Sequence, residues 1–206
     1  MKKTFPKKVE DEVFWHYRRK RIVVIGISLF LLILFYTFKN TSFLARTLST
    51  ISFLFLFYII DHFFDVKFTE KHYLYIIFIA LTGLMLSPLY YIYPNYDKIL
   101  HFVLPMMLGS IIFHMVSKLK IKLRWKLLFV FLIVVGFVGV HEIGEYWLDQ
   151  FFDFKLQGVF LRDIQTLEKY KILMDRIDDT MIDMTFGLFG SALYVLAVGI
   201  YEKLKN

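Results

Sequence analysis

Long apolar runs bounded by charge set the pattern of this chain. Between Arg21 and Lys39 the sequence IVVIGISLFLLILFYTF carries no charge, and five further stretches of similar character follow it. A helix that crosses a bilayer needs about 20 mostly apolar residues, because each residue rises only about 1.5 Å. The pattern therefore predicts about six spanning helices, at roughly residues 22–38, 44–61, 73–92, 98–117, 126–148 and 180–201. The predicted fold class is all-α: a polytopic membrane helical bundle, with residues 1–206 forming a single transmembrane domain. The first run follows RRKR as a signal peptide would, yet it lacks a small-residue cleavage site and is read as a retained helix. Pro88 and Pro105 are expected to kink the third and fourth spans. Gly187, Gly190, Ser191 and Ala192 offer one face for close helix packing, and Gly136 and Gly139 a second.

Basic residues at the span ends predict the orientation. The N-terminus carries MKKTFPKK and RRKR, and the fourth connection carries Lys118, Lys120, Lys122, Arg124 and Lys126. Lys and Arg near span ends stay on the cytoplasmic side, which gives an N-in, C-in chain with residues 1–21 as a basic cytoplasmic segment. Lys67, Lys71 and the Lys118–Lys126 run are expected to face anionic headgroups. The long stretch from Asp149 to Asp179 then lies outside. It alternates apolar and charged residues too regularly for disorder, and one or two short interfacial helices are expected there.

Composition sharpens this picture. A 206-residue chain that is 58% hydrophobic and 19% aromatic is too apolar for an ordinary soluble domain. The absence of cysteine excludes disulfides, thiolate metal sites and cysteine nucleophiles. The net charge of +7 flanks apolar segments instead of forming a stripe, so no nucleic-acid partner is implied.

Candidate chemistry sits where charge interrupts the apolar runs. YDKILHF places Asp97 and His101 four apart, on one helical face. HEIGEYW places His141, Glu142 and Glu145 on a broad common face, and RIDDTMIDM places Asp179 and Asp183 four apart with Asp178 turned aside. Span parity brings all three clusters to one membrane surface. An ionisable residue at the centre of a span costs about 2.5–3.5 kcal/mol on insertion scales, so these groups need partners. Lys98 and Arg176 are too few to neutralise five acids, which points to an added divalent cation. Oxygen-rich donors with an imidazole suit Zn, Mn, Mg or Fe. HEIGE is not the HExxH motif of metalloproteases, because Glu145 stands at its second ligand position. A structural alternative has Asp97 and His101 capping span four, and Asp178, Asp179 and Thr180 forming the N-cap of span six. Asp61, His62 and Asp65 in YIIDHFFD are read as a helix end.

DKILHF, EIGEYW and DDTMIDM together resemble the pattern of the YjdF family of uncharacterised inner-membrane proteins, and DKILHF also resembles VanZ-like proteins. The resemblance covers roughly residues 97 to 190 and, residue by residue, Asp97, His101, Phe102, Glu142, Glu145, Asp179, Thr180, Asp183 and Met184. His141 falls outside it, Tyr146 replaces a typical tryptophan, and Met181–Ile182 replace a Gln-Trp pair. The resemblance implies a multi-pass protein of the cytoplasmic membrane of a bacterium or archaeon. It implies a site and no reaction.

The leading functional expectation is a membrane-embedded, metal-dependent hydrolase or transferase acting on a lipid or lipid-linked phosphate from the extracytoplasmic side. His101, Glu142, Glu145, Asp179 and Asp183 are the expected ligands, with Asp97, His101 and Glu142 as catalytic groups. The alternative is a proton- or cation-coupled transporter using the same acids. Membrane lipids are the expected partners.

Overall fold

The computed structural model describes residues 20, 22–30, 33, 41–64, 66–152, 156–162 and 169–205. Two compact units divide the chain, Met1–Met85 and Leu86–Asn206.

In the first unit, α1 (22–30) continues from a helical Lys20. It is followed by α2 (Thr41–Phe63) and α3 (Glu70–Ala80). The third expected span is not one regular helix. It loosens from α3 into a π-helical turn over Leu81–Met85, and a 3-10 turn over Ser87–Tyr91 follows. Pro88, which has no N–H to donate to an α ladder, stands within this irregular stretch.

Burial in this unit centres on Asp61, which is fully enclosed. Its Oδ2 accepts from Lys20 Nζ at 2.7 Å and from the Tyr73 hydroxyl at 2.6 Å, and its Oδ1 accepts from the Phe68 amide at 3.0 Å. Lys20 Nζ also donates to the Phe68 carbonyl at 2.6 Å and lies 4.4 Å from the centre of the Tyr73 ring. Phe57 stacks on Phe68 at 4.7 Å and meets Tyr73 edge-on at 5.1 Å, sealing the pair from solvent. Lys20, read from sequence as part of the basic cytoplasmic segment 1–21, has a buried side chain. Asp61 ties three segments together as well as standing near the end of α2. Asp65 lies outside the described residues.

In the second unit, α4 (Tyr96–Ser117), α5 (Leu123–Phe152) and α6 (Arg176–Lys205) pack on one another. All three are long and apolar enough to cross a membrane. Val116, Val130 and Val134 form a buried core, with Leu108, Ile112, Phe113, Tyr194 and Val195 against it. The small residues of α6 act as expected. A Cβ at Gly190 would collide with the Phe102 carbonyl, and one at Gly187 would come within 2.7 Å of Val138. Gly109 does the same from α4, where a Cβ would meet the Tyr194 ring at 2.6 Å. Gly136 and Gly139 behave otherwise, since no described residue lies within 4 Å of a Cβ at either. Helix α4 continues through Pro105.

Two differences from the expected outline bear on function. The stretch expected to hold interfacial helices forms an antiparallel hairpin, β1 (Val159–Arg162) with β2 (Lys169–Met174), its register pairing Val159 with Met174 and Arg162 with Lys169. Alternating apolar and charged residues have the period of a strand with two unlike faces, which explains the choice. The second difference is the start of α6 at Arg176, four residues before its expected beginning. Asp175 Oδ1 accepts from the amides of Ile177 and Asp178, both at 2.9 Å, and is the cap. Asp179 is therefore not the N-cap, and its side chain is free to turn inward.

Replacing Asp61 with Ala removes the carboxylate that pairs with the buried Lys20 ammonium, and the expected loss is about 3–5 kcal/mol. Denaturant unfolding in detergent checks this against Leu74→Ala, an exposed change expected to stay within about 0.5 kcal/mol. Equal losses would remove the Asp61 latch from the account. Likewise Gly190→Ala is expected to cost about 1–3 kcal/mol by forcing α4 from α6. Gly139→Ala is expected to cost nothing measurable by the same assay.

Candidate metal centre

Helices α4 and α6 present their first two turns to each other, and α5 passes both with Glu142. Lys98, His101, Glu142, Asp179 and Asp183 are buried, and Asp97 is half-buried. The helical repeat explains the selection: Asp97 and His101 are one turn apart on α4, as are Asp179 and Asp183 on α6. The contact of Gly190 with the Phe102 backbone sets how close these two rows come.

Lys98 stands at the centre. Its Nζ donates to both oxygens of Asp183 at 2.7 Å and to Asp179 Oδ1, and Asp97 Oδ2 lies 3.4 Å away. The second oxygen of Asp179 accepts from the Gly158 amide at 2.7 Å. Gly158 has φ = 85°, in the left-handed region that costs a side chain dearly and glycine nothing. Its carbonyl accepts from the Tyr90 hydroxyl. Asp149, near the end of α5, fixes the preceding residues by accepting from the amides of Leu156 at 2.6 Å and Gln157 at 3.0 Å. Gln157 Nε2 in turn donates to Thr180 Oγ1 at 3.0 Å. The segment entering the hairpin is thus fastened over the acids by its own backbone.

His101 makes the second half of the site. Its Nε2 is 3.5 Å from Asp97 Oδ1, and its Nδ1 is 3.5 Å from Glu142 Oε1. One donor atom each from Asp97, His101 and Asp183 lies within 4.8 Å of the others, so this group could hold a metal ion. The donor set fits such an ion. Two carboxylates and one imidazole match three-ligand sites that leave a coordination position open. Glu142 Oε1 is buried and has no hydrogen-bond partner among the described residues, while facing the imidazole nitrogen turned away from Asp97. A carboxylate on that far nitrogen is the usual means of orienting a ligating histidine. Charge points the same way: Asp97, Asp179 and Asp183 surround the ammonium of Lys98, and Glu142 adds a further carboxylate behind His101.

Among the residues expected from sequence, Asp97, His101 and Asp183 converge on one point, and Asp179 adjoins them through Lys98. Glu142 stands behind His101. Glu145 sits apart, where its Oε1 is 3.4 Å from His141 Nε2. The His141 ring lies 5.5 Å from that of His101, which brings a residue outside the family pattern to the edge of the site. Arg176 is exposed at the start of α6 and Asp178 is exposed beside it. Sequence reasoning missed Tyr90, Asp149, Gln157 and Gly158. For Asp149 a signal existed: residues 142, 145 and 149 recur at helical spacing on α5. Nothing comparable marks Gly158, whose role depends on a fold-dependent positive φ.

A family profile described as "Predicted membrane protein (DUF2238)" matches residues 20–204. No curated protein and no solved structure matches the chain.

Lys98→Met removes the ammonium from between Asp179 and Asp183. The expected loss of stability is about 3–5 kcal/mol, the usual cost of stranding buried charge. Adding Asp183→Asn should recover part of that loss; thermal unfolding of both variants measures it, and no recovery would argue against direct charge pairing. For Gly158→Ala the expected effect is local. Amide exchange should rise at Leu156–Val159 and not in the middle of α4, and unchanged protection at Gly158 would refute the clamp.

Proposed function

We propose that this chain, which belongs to the DUF2238 family of predicted membrane proteins, is a membrane-embedded, metal-dependent hydrolase or transferase acting on a lipid or lipid-linked phosphate. The observation that carries the reading is the convergence of Asp97, His101 and Asp183 beside a buried ammonium on helices long enough to cross a membrane. Asp97, His101 Nε2 and Asp183 are the ligands. A Zn, Mn, Mg or Fe ion held there would polarise a phosphoryl oxygen. In this reading Glu142 orients His101 through Nδ1 and accepts a proton by way of the imidazole. Lys98 holds Asp179 and Asp183 in position and balances part of their charge. Glu145, with His141, supports the edge of the site instead of ligating.

The reading includes six spans, an N-in and C-in arrangement and a site at the extracytoplasmic face, as basic residues at the span ends favour. It also includes the inner-membrane setting of the YjdF resemblance. A membrane-impermeant maleimide should label Asp175→Cys, exposed ahead of α6, from outside intact cells. Labelling only after lysis would reverse the orientation.

A second reading has one observation in its favour. Asp97, His101 and Glu142 form a chain of ionisable groups with 3.5 Å steps, as a proton relay in a carrier would need.

Elemental analysis of the purified full chain after exposure to Zn or Mn separates the two. The enzyme reading expects stoichiometric metal, lost in Asp183→Ala and His101→Ala. Glu142→Gln should keep the site and weaken affinity about 10–100-fold, as loss of an orienting partner does. Metal in the wild type should accompany release of phosphate from a lipid phosphate in detergent. No metal in any protein, with substrate-independent proton flux in proteoliposomes, would replace this reading by the relay.

A further inference from the structure

Beside the acidic group a pocket of about 680 Å³ lies between the first turns of α4, the first turns of α6 and the hairpin. Ligand pockets typically hold about 300–1,000 Å³, so this one accommodates a sizeable group. Its walls are mostly hydrocarbon, with Ile99, Phe102, Val159, Leu173, Ile182 and Phe186 prominent. The charged side chain in the lining is Lys98, whose Nζ bridges Asp179 and Asp183. Lys98 therefore joins the apolar space to the ion cluster.

The mouth has its own character. Ile99, Leu173 and Phe186 line the pocket and are 59%, 42% and 38% exposed. Ile99 and Phe186 belong to helices long enough to cross a membrane, so exposed apolar side chains there face hydrocarbon. Such an opening admits a molecule that is already in the bilayer. Water-soluble phosphate esters would gain little from these walls.

The geometry points to this pocket as the seat of one hydrocarbon chain of a phosphate-bearing membrane lipid, which enters sideways and sets its head against Asp97, His101 and Asp183. The inference rests on the metal-enzyme reading for the position of the head, and on the lining alone for the chain. Charge complementarity links the two. Asp97, Asp179 and Asp183 outweigh Lys98, so a phosphate head is repelled until a divalent cation joins the cluster. Binding of an anionic lipid in the pocket thus depends on the cation. The head is also held apart from the Lys118–Lys126 run, whose exposed lysines belong to the other end of α4.

The test uses the full chain in phosphatidylcholine vesicles containing phosphatidic acid with a photoactivatable diazirine on one acyl chain. Crosslinks mapped by mass spectrometry should concentrate at Ile99, Phe102, Ile182 and Phe186 by about tenfold over Leu196 and Ile200, which corresponds to about 1.4 kcal/mol of preference. Unlabelled phosphatidic acid should compete them away, and Ile182→Trp, which fills the pocket, should abolish the enrichment. Competition needs no variant, so a misfolded Ile182→Trp leaves the result readable. Equal, uncompeted labelling of Leu196 and Ile200 would mean ordinary bilayer contact and overturn the inference. Chelation divides the outcomes further. Loss of pocket labelling on metal removal is the expected result. Persistent, competable pocket labelling in a protein that elemental analysis finds metal-free would keep the chain site and defeat the metal-enzyme reading. Bound metal without pocket labelling would do the reverse.

Discussion

A lysine ammonium enclosed by carboxylates holds the second unit together. Each of these ions is costly to take out of water alone, and the mutual attraction compensates only where geometry is close and spare donors and acceptors are filled. Lys98 meets that condition by lying 2.7 Å from both oxygens of Asp183 and donating to Asp179 as well. It can do so only if α4 and α6 approach within backbone contact. Gly190 against Phe102 allows that approach. Helix termini add a smaller favourable term. Asp97 and Asp179 lie in the first turns of α4 and α6, where the positive end of each helix dipole favours an anion.

The hairpin follows from the same constraint. Asp179 has two oxygens and Lys98 fills one, so the other requires a donor. The Gly158 amide supplies it, and Tyr90 and Asp149 then fix the segment that carries the amide. Asp175 rather than Asp179 caps α6, so no acid does two jobs. The hairpin also forms one wall of the apolar pocket. Cluster, clamp and pocket are consequences of one packing arrangement.

The two units solve the buried-charge problem differently, and the contrast separates structure from function. In the first unit Asp61 receives an ammonium, a hydroxyl and an amide. All its demands are met by the chain. In the second unit Lys98 faces an excess of carboxylates, and Glu142 Oε1 is buried without a hydrogen bond among the described residues. An incompletely satisfied polar cluster is expensive and persists where something else completes it. The first arrangement is a fastener, whereas the second includes the Asp97, His101 and Asp183 group that could hold a metal ion.

Hydrophobic periodicity was enough to show that apolar helices dominate, roughly where α4, α5 and α6 run, and which turns of α4 and α6 carry acids on one face. These are matters of periodicity and composition, which depend on local spacing alone. The sequence also marked Gly187 and Gly190 as packing positions, although Gly136 and Gly139 carried the same signal and meet no described residue. Which acids share a point depends on how the helices pack. Glu145 and Glu142 are three residues apart on one helix, yet Glu142 reaches His101 and Glu145 reaches His141. The rotation of α5 against α4 sets the Glu142–His101 contact, whereas Glu145 meets His141 one turn back on its own helix. Tertiary packing also decided that Lys20 is buried and that the 159–174 segment is a hairpin docked through a glycine amide. Both depend on contacts between residues far apart in the chain, which no local pattern encodes.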